Sequence, residues 1–343
     1  MAQDYSLTEY TPTQRHTYRA TAEIYQAYLL AGSRSRAFKG GMHWKKIGGK
    51  DYLYRYRDRL GHGESLGPRA EGTERLYARF TRERGEACAL LKKEGLRLKE
   101  QRRYCRAARL QRLPRGAARI LRRLEEHPTG RDLLVIGAAA VYAYEAAAGV
   151  FLDFDAAPDL PAASPRLTLA GEMSWEELLK LLKRTDRSFA PLAAWECLAV
   201  NRYGFLVQLL TPGSRRPGKP KTVTLPGAQE PLPLEAGSLQ YLLASPRLSQ
   251  VVIGRDGSPA TMAAPDALAF ALNQFRRSRQ EDREEAKRRR DFRQALAVAD
   301  LVLRYLQPYE YFSIELAMLP QGLVQAAARF AEGTDASGRE AEA

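Results

Sequence analysis

The spacing of apolar residues changes period several times along the chain. Residues 13–31 carry Ile24, Tyr25, Tyr28 and Leu29 as a stripe at helical spacing, which predicts a helix. Between Gly40 and Pro68 the period drops to two. Gly48-Gly49 reads as a two-residue hairpin turn, and RLGHG around Gly61 and Gly63 as a second, so this stretch predicts a small antiparallel sheet. Alternation puts Tyr52, Tyr54 and Tyr56 on one face and Leu53, Arg55 and Arg57 on the other. From Glu71 to Arg112 the helical period returns, with Leu76, Tyr77, Phe80, Leu90, Leu91, Leu98 and Tyr104 among many charges. That pattern predicts a coiled-coil-like arm, either half of a helical hairpin or a contact between two copies. Pro114 opens a shorter helix to about Glu126.

The next stretch alternates short apolar runs with amphipathic ones. Leu133, Leu134, Val135 and Ile136 stop at Gly137, and an alanine-rich helix follows over 138–148. A buried strand feeding a helix through one glycine leaves backbone N–H groups at the positive end of the helix dipole, where anions bind. A Pro/Ala-rich loop over 156–165 leads to a strand at Arg166–Leu169 and a helix at 174–185. Strands near Glu196–Val200 and Phe205–Leu210 flank a turn at Tyr203-Gly204. Residues 212–235 are rich in proline and glycine, as expected of a surface excursion. A hairpin is expected for Gln250–Ile253 and Ala260–Met262 around Asp256-Gly257, then helices at 265–278, 283–306 and 310–330. The pattern is that of an α+β chain. Its expected parts are a module at 1–131, an α/β core at 132–262, a helical segment at 263–331 and a polar, disordered tail at 332–343.

Composition narrows the class. No window reaches the roughly 18 apolar residues of a membrane span, and Glu145 interrupts the best candidate. The first residues lack the order of a secretion signal. Three scattered cysteines (Cys88, Cys105, Cys197) and four isolated histidines have no metal-ligand spacing, and reduced thiols fit a cytoplasmic protein. The net charge of +14 lies at one end: residues 1–131 hold 30 Lys/Arg against 14 Asp/Glu, and the rest holds 24 against 26. A basic module of this kind meets polyanions, RNA or DNA among them, with Lys45, Lys46, Arg55 and Arg57 as the candidate contacts. Tyrosines beside basic residues can stack on bases. A small sheet also needs one apolar face, and that need assigns the tyrosines to packing on the neighbouring helix.

Four blocks carry a resemblance. They are GGMHWKKIGGKDYLYR (40–55), VIGAAAVYAYEAAAGV (135–150), SPRLSQVVIGRDGSPATMAAPDALAFAL (245–272) and KRRRDFRQA (287–295). In this order they resemble a bacterial family of nucleotidyltransferase-fold proteins, over most of residues 15–320. The resemblance implies the polymerase-β-like fold, a small mixed sheet flanked by helices, with a helical C-terminal segment similar to those of toxin–antitoxin nucleotidyltransferases. It also implies Mg²⁺-dependent transfer of a nucleoside monophosphate from an NTP to an acceptor. Two Mg²⁺ ions activate the attacking oxygen and neutralise the leaving pyrophosphate. Carboxylates at i and i+2 of one strand grip metal together, and a third sits on an adjacent strand. A glycine and a small hydroxyl residue hold the triphosphate, often with a lysine on a later helix.

This chain departs from that set. Gly137 is present, but Ala138 follows it, so only backbone donors remain for nucleotide. Asp153-Phe154-Asp155 is a literal D-x-D close behind the helix, whereas the family register points to Asp159, so the metal carboxylates are Asp153, Asp155 or Asp159. Their other reading is a polar loop of solvated side chains. Gln208 stands where the third carboxylate is expected, and an amide is a weak Mg²⁺ ligand. Asn273 and Gln274 occupy the candidate lysine positions, and Arg290-Asp291 reads as an ion pair on a helix face or a cap contact. Three functions stand against one another. One is a nucleotidyltransferase with a degenerate centre. Another is a non-catalytic nucleic-acid binder or scaffold on the same fold, and a third is a homo-oligomer paired through residues 71–112.

Overall fold

The computed structural model describes residues 5–56, 62–154, 166–192, 197–212, 236–281 and 283–306. Asp155, Asp159, Arg57, the expected turn at Gly61, most of the excursion at 212–235, the helix at 310–330 and the tail lie outside the described residues. The chain divides into two compact units, Met1–Arg15 with Gln111–Ala343, and His16–Leu110. Strand β1 (Tyr5–Glu9) precedes helix α1 (Pro12–Ala37), and the smaller unit continues with β2 (Gly41–Ile47), β3 (Lys50–Tyr56), β4 (Gly63–Pro68) and α2 (Glu71–Ala107).

In the smaller unit α2 is half of a helical hairpin. Phe80, Ala87, Glu94 and Gln101 are buried at a seven-residue spacing, the period of a coiled-coil seam, and Cys105 follows them. That seam faces α1: Gln101 donates to the Thr21 hydroxyl (3.0 Å) and the Thr17 carbonyl (3.2 Å), and Cys105 Sγ lies 3.1 Å from Thr21 Oγ1. Strands β2, β3 and β4 form an antiparallel sheet in that order. Trp44 lies opposite Leu53 and Met42 opposite Arg55, so these four share a face. It is the face turned to α2, with Leu53 fully buried, Trp44 against Tyr77 (5.8 Å between ring centres) and Arg55 over Phe80 (4.3 Å). The expectation that the tyrosines pack on the helix is therefore corrected. Leu53 and Trp44, with the Arg55 guanidinium over Phe80, supply the face that meets the helix, and Tyr52, Tyr54 and Tyr56 stand on the other. Tyr54 and Tyr56 stack there (6.2 Å), His43 meets Tyr56 (5.8 Å) and Lys45 lies over Tyr54 (5.4 Å).

The larger unit resumes with α3 (Arg115–Glu125), β5 (Leu134–Ile136), α4 (Val141–Ala148), β6 (Val150–Phe154) and β7 (Arg166–Ala170). It goes on through α5 (Trp175–Thr185), β8 (Ala190–Pro191), β9 (Leu198–Val200), β10 (Leu206–Leu210), α6 (Ala236–Ala244), β11 (Arg247–Ile253), β12 (Pro259–Pro265), α7 (Ala267–Ser278) and α8 (Glu285–Tyr305). Its main sheet has the order β5-β7-β10-β9-β8, with β7 and β10 parallel and the other pairs antiparallel. Leu134, Ala170 and Leu210 form one lateral row, and Leu239 and Leu242 of α6 with Ala269 of α7 close over it. Burial of such a row supplies about 1.5–3 kcal/mol per large side chain. Strand β6 pairs with β1, Asp153 opposite Ser6, so Asp153 belongs to a strand of a separate two-stranded sheet and not to a loop. The described architecture is mixed α and β. No described helix is long and apolar enough to cross a membrane.

The two sheet faces of the smaller unit make a direct prediction. Leu53→Ala opens a cavity in a closed core and is expected to cost about 2–5 kcal/mol in urea unfolding. Tyr54→Ala on the opposite face is expected to cost less than half as much. Equal losses would show that the tyrosine face is packed as tightly as the leucine face.

Candidate functional site

Strand β5 ends at Ile136, and the backbone turns through Gly137 at a φ of 74°, where any side chain would be strained. A 3-10 turn over Gly137–Ala140 follows, and α4 begins only at Val141. The strand–glycine–helix pattern thus holds, with its first turn wound tighter than an α-helix. Ala138 lies inside that turn, so the donors available to an anion here are backbone N–H groups.

Beside Ile136 the sheet register places Thr168 of β7, and beside Thr168 it places Gln208 of β10. These three share one face of the sheet. Thr168 is 3% exposed and Gln208 2%, so the row is closed off and polar at its centre. An amide and a hydroxyl occupy it, and neither brings negative charge to a cation.

Asp153 is held elsewhere. Arg112 donates to Glu145 Oε1 (2.9 Å), to the Leu152 carbonyl (3.0 Å) and to Asp153 Oδ1 (2.7 Å), while Phe151 lies beneath its guanidinium. Glu145, buried on α4, also accepts the Leu152 N–H at 2.9 Å. Burial pushes the Glu145 carboxyl up, against the pull of Arg112 and of that N–H. Burial also works against the Arg112 charge, but its bonds to Glu145 and Asp153 outweigh this and hold it above its ordinary value. Asp153 therefore neutralises an arginine. Among the described residues no group of three or more His, Cys, Asp or Glu side chains could hold a metal ion.

A second charged centre lies between α7 and α8. Asp291 of α8 accepts from Arg283 Nε at 2.7 Å, and Arg277 Nη2 and Arg290 Nη2 stand 3.7 and 3.8 Å from its oxygens. Burial pushes the Arg277 guanidinium down to about 10; Arg283, Arg290 and Arg166 press the same way and Asp291 opposes them. Arg166 is pushed down to about 10 by burial first, then by Arg290 and Arg283. A guanidinium keeps its proton in a protein, so these directions describe burial first and neighbouring guanidinium groups second, not a neutral side chain. Gln274, at the expected lysine position, accepts from Arg277 Nη1 (3.0 Å) and donates to Gln294 (2.6 Å); Asn273 is buried beside it in sequence.

Sequence reasoning took Arg290-Asp291 as an ordinary ion pair and passed over Arg166, Arg277 and Arg283. A signal was present: Arg277 follows Phe270 by seven and Gln274 by three, which puts a charge on the buried stripe of α7. Arg166 precedes Thr168 by two and so shares its sheet face. Of the basic candidates, Lys45 stands on the tyrosine face, Lys46 and Arg55 on the opposite one, and Arg55 donates to the Ala37 carbonyl (3.2 Å).

Comparison with known proteins gives one match. A family model described as Nucleotidyltransferase covers residues 115–316, more than half of the 343. No curated protein and no solved structure matches the chain.

The Arg112 centre yields a pH test. Arg112→Met leaves the Glu145 carboxylate buried without its partner, at an expected cost of about 3–5 kcal/mol near pH 7. In the variant the folded pKa of Glu145 rises further above its unfolded value. Stability is then present below the ordinary carboxyl range and lost as pH rises through the folded value. Urea unfolding should show the penalty shrinking as pH falls toward about 4. A penalty that does not change with pH contradicts this assignment.

Proposed function

Because the chain belongs to a nucleotidyltransferase family, we propose that it binds a nucleoside triphosphate beside the Gly137 turn and transfers its nucleoside monophosphate weakly or not at all. The observation that carries this reading is Gln208, an amide in lateral register with Thr168 and Ile136. A carboxylate at this place would give Mg²⁺ a full negative charge, whereas an amide offers a carbonyl dipole. The described donors do not fit a Mg²⁺ site. Asp155 and Asp159 are the carboxylates such an ion would need. The polymerase-β-like version of the fold is supported by the order strand, Gly137, tight turn, helix. Backbone N–H groups at that turn bind an anion without orienting it as well as a hydroxyl would, so nucleotide affinity outlasts turnover.

The smaller unit supports a second role, contact with RNA or DNA. Residues 16–110 hold 23 Lys/Arg against 10 Asp/Glu. Its tyrosine face presents stacked rings with Lys45 above them, a platform on which unpaired bases stack. The buried seam of α2 is occupied by α1, so pairing of two copies through residues 71–112 would use another side of the helix, where Leu96 and Tyr104 are exposed.

Incubation with labelled NTPs and Mg²⁺ or Mn²⁺ is expected to leave protein and RNA essentially unlabelled. Robust labelling that alanine at Asp155 or Asp159 abolishes would show a live enzyme. Gln208→Asp buries a charge and is expected to cost about 2 kcal/mol in EDTA. It should also make nucleotide binding depend on Mg²⁺, and affinity indifferent to Mg²⁺ in that variant would remove Gln208 from the nucleotide site.

Binding of single-stranded RNA by the smaller unit should fall steeply with salt, because each phosphate contact releases counterions. Lys45→Gln should reduce the salt slope by about 1. Tyr54→Ala should weaken binding by about 1–3 kcal/mol at every salt concentration. Binding that ignores salt, or that survives both changes, excludes this face.

A further inference from the structure

We propose that Lys92, Lys99, Arg103 and Arg106 of α2 form a rail for the phosphate backbone of base-paired nucleic acid. The four follow one another at steps of seven, four and three residues, which keeps them on one face of the helix. At a rise of about 1.5 Å per residue the row is about 21 Å long. All four are exposed, and among the described residues none of them is in an ion pair. Their face points away from the buried seam of Ala87, Glu94, Gln101 and Cys105.

The first half of α2 shows how a solvated helix surface balances its charges. Glu71 with Arg75, Arg79 with Glu83, and Arg82 with Glu86 pair four residues apart. From Ala87 to Ala107 the acids are Glu94 and Glu100, and neither serves the row. Glu94 is buried and pairs with Arg97 (2.8 Å), while Glu100 accepts from the Tyr104 hydroxyl (3.4 Å). Lys99 and Arg103 are thus like charges at i and i+4, and Arg103 and Arg106 at i and i+3, spacings that weaken a helix. The helix dipole offsets positive charge only in the last turn, which holds Arg106. Lys92 and Lys99 lie two turns or more before the end at Ala107. Repelling charges in a row suit an anion whose charge repeats.

The partner follows from what else the face carries. Tyr104, the one aromatic ring in this half of α2, is about 100° round the helix from Arg103. The row can therefore hold phosphates but has no ring on which to stack a base. A rigid helix also keeps its charges in a straight line, which matches the fixed phosphates of a duplex. A second copy of this chain fits poorly, because a symmetric contact would set the row against itself. The row shares no residue with the tyrosine face and does not depend on it.

The test uses the full chain with a short RNA duplex, a DNA duplex of the same sequence, and an unstructured RNA strand. Combining Lys92→Gln, Lys99→Gln, Arg103→Gln and Arg106→Gln should lower the DNA-duplex salt slope by about 3–4. Glutamine is as good a helix former as lysine or arginine, so this variant should melt no lower than the unaltered protein. Lys92→Arg with Lys99→Arg keeps the charge and should keep the slope. Glutamine at the ion-paired Arg75, Arg79, Arg82 and Arg97 removes the same charge and should change the slope by less than about 1. Equal losses in the two fourfold variants would show that net charge alone acts, and the rail would fall. It would also fall if no duplex binds at low salt, or if duplex binding ignores the four residues. A loss as large for the single strand as for the duplexes would overturn the base-paired partner. A loss shared by both duplexes supports contact with phosphate alone, and a loss confined to one supports the rail and identifies that duplex as its partner. Tyr54→Ala should leave duplex affinity unchanged. Single-strand binding indifferent to Tyr54 would end the tyrosine platform and leave the rail standing.

Discussion

The lateral register of β5, β7 and β10 is the constraint on which the larger unit depends. Side chains alternate across a strand, so a shift of one residue would send each of these rows to the opposite face. In the register adopted, Leu134, Ala170 and Leu210 make an apolar row for α6 and α7 to cover, and Ile136, Thr168 and Gln208 make the next. The same alternation carries Arg166 to the start of β7 on that face. Core and polar row are therefore set by one pairing pattern.

Charge at the described residues is what supports the proposal of a centre without metal. A divalent ion needs carboxylates directed at one point, and the described carboxylates are committed elsewhere. Glu145 and Asp153 are held by Arg112, Asp300 by Arg304 and Tyr5, and Asp291 by its arginines. The sheet row offers an amide and a hydroxyl.

Much of this was legible in the chain. The glycine at 137, the strands around Tyr203-Gly204, the hairpin around Asp256-Gly257 and the helices near 174–185, 265–278 and 283–306 follow from period and turn chemistry, which are local. What escaped was non-local. Strand β6 exists because β1, some 145 residues earlier, supplies its partner. The tyrosine face was assigned to the helix because three aromatic rings outweigh one leucine on paper. Trp44 from the neighbouring strand and the Arg55 guanidinium over Phe80 reverse that balance. The arginines at Asp291 escaped for a related reason, since Arg277 and Arg290 stand on different helices and only the packing of α7 on α8 brings them to one carboxylate.

The central proposal is that the larger unit binds a nucleotide at the Gly137 turn through backbone donors, without help from a metal ion. Calorimetric titration of ATP into the unaltered protein, once with Mg²⁺ and once with EDTA, tests it most directly. The account predicts dissociation constants that agree within about threefold, a difference below about 0.7 kcal/mol. Binding that weakens tenfold or more when Mg²⁺ is withdrawn would contradict it and return the site to metal-dependent chemistry.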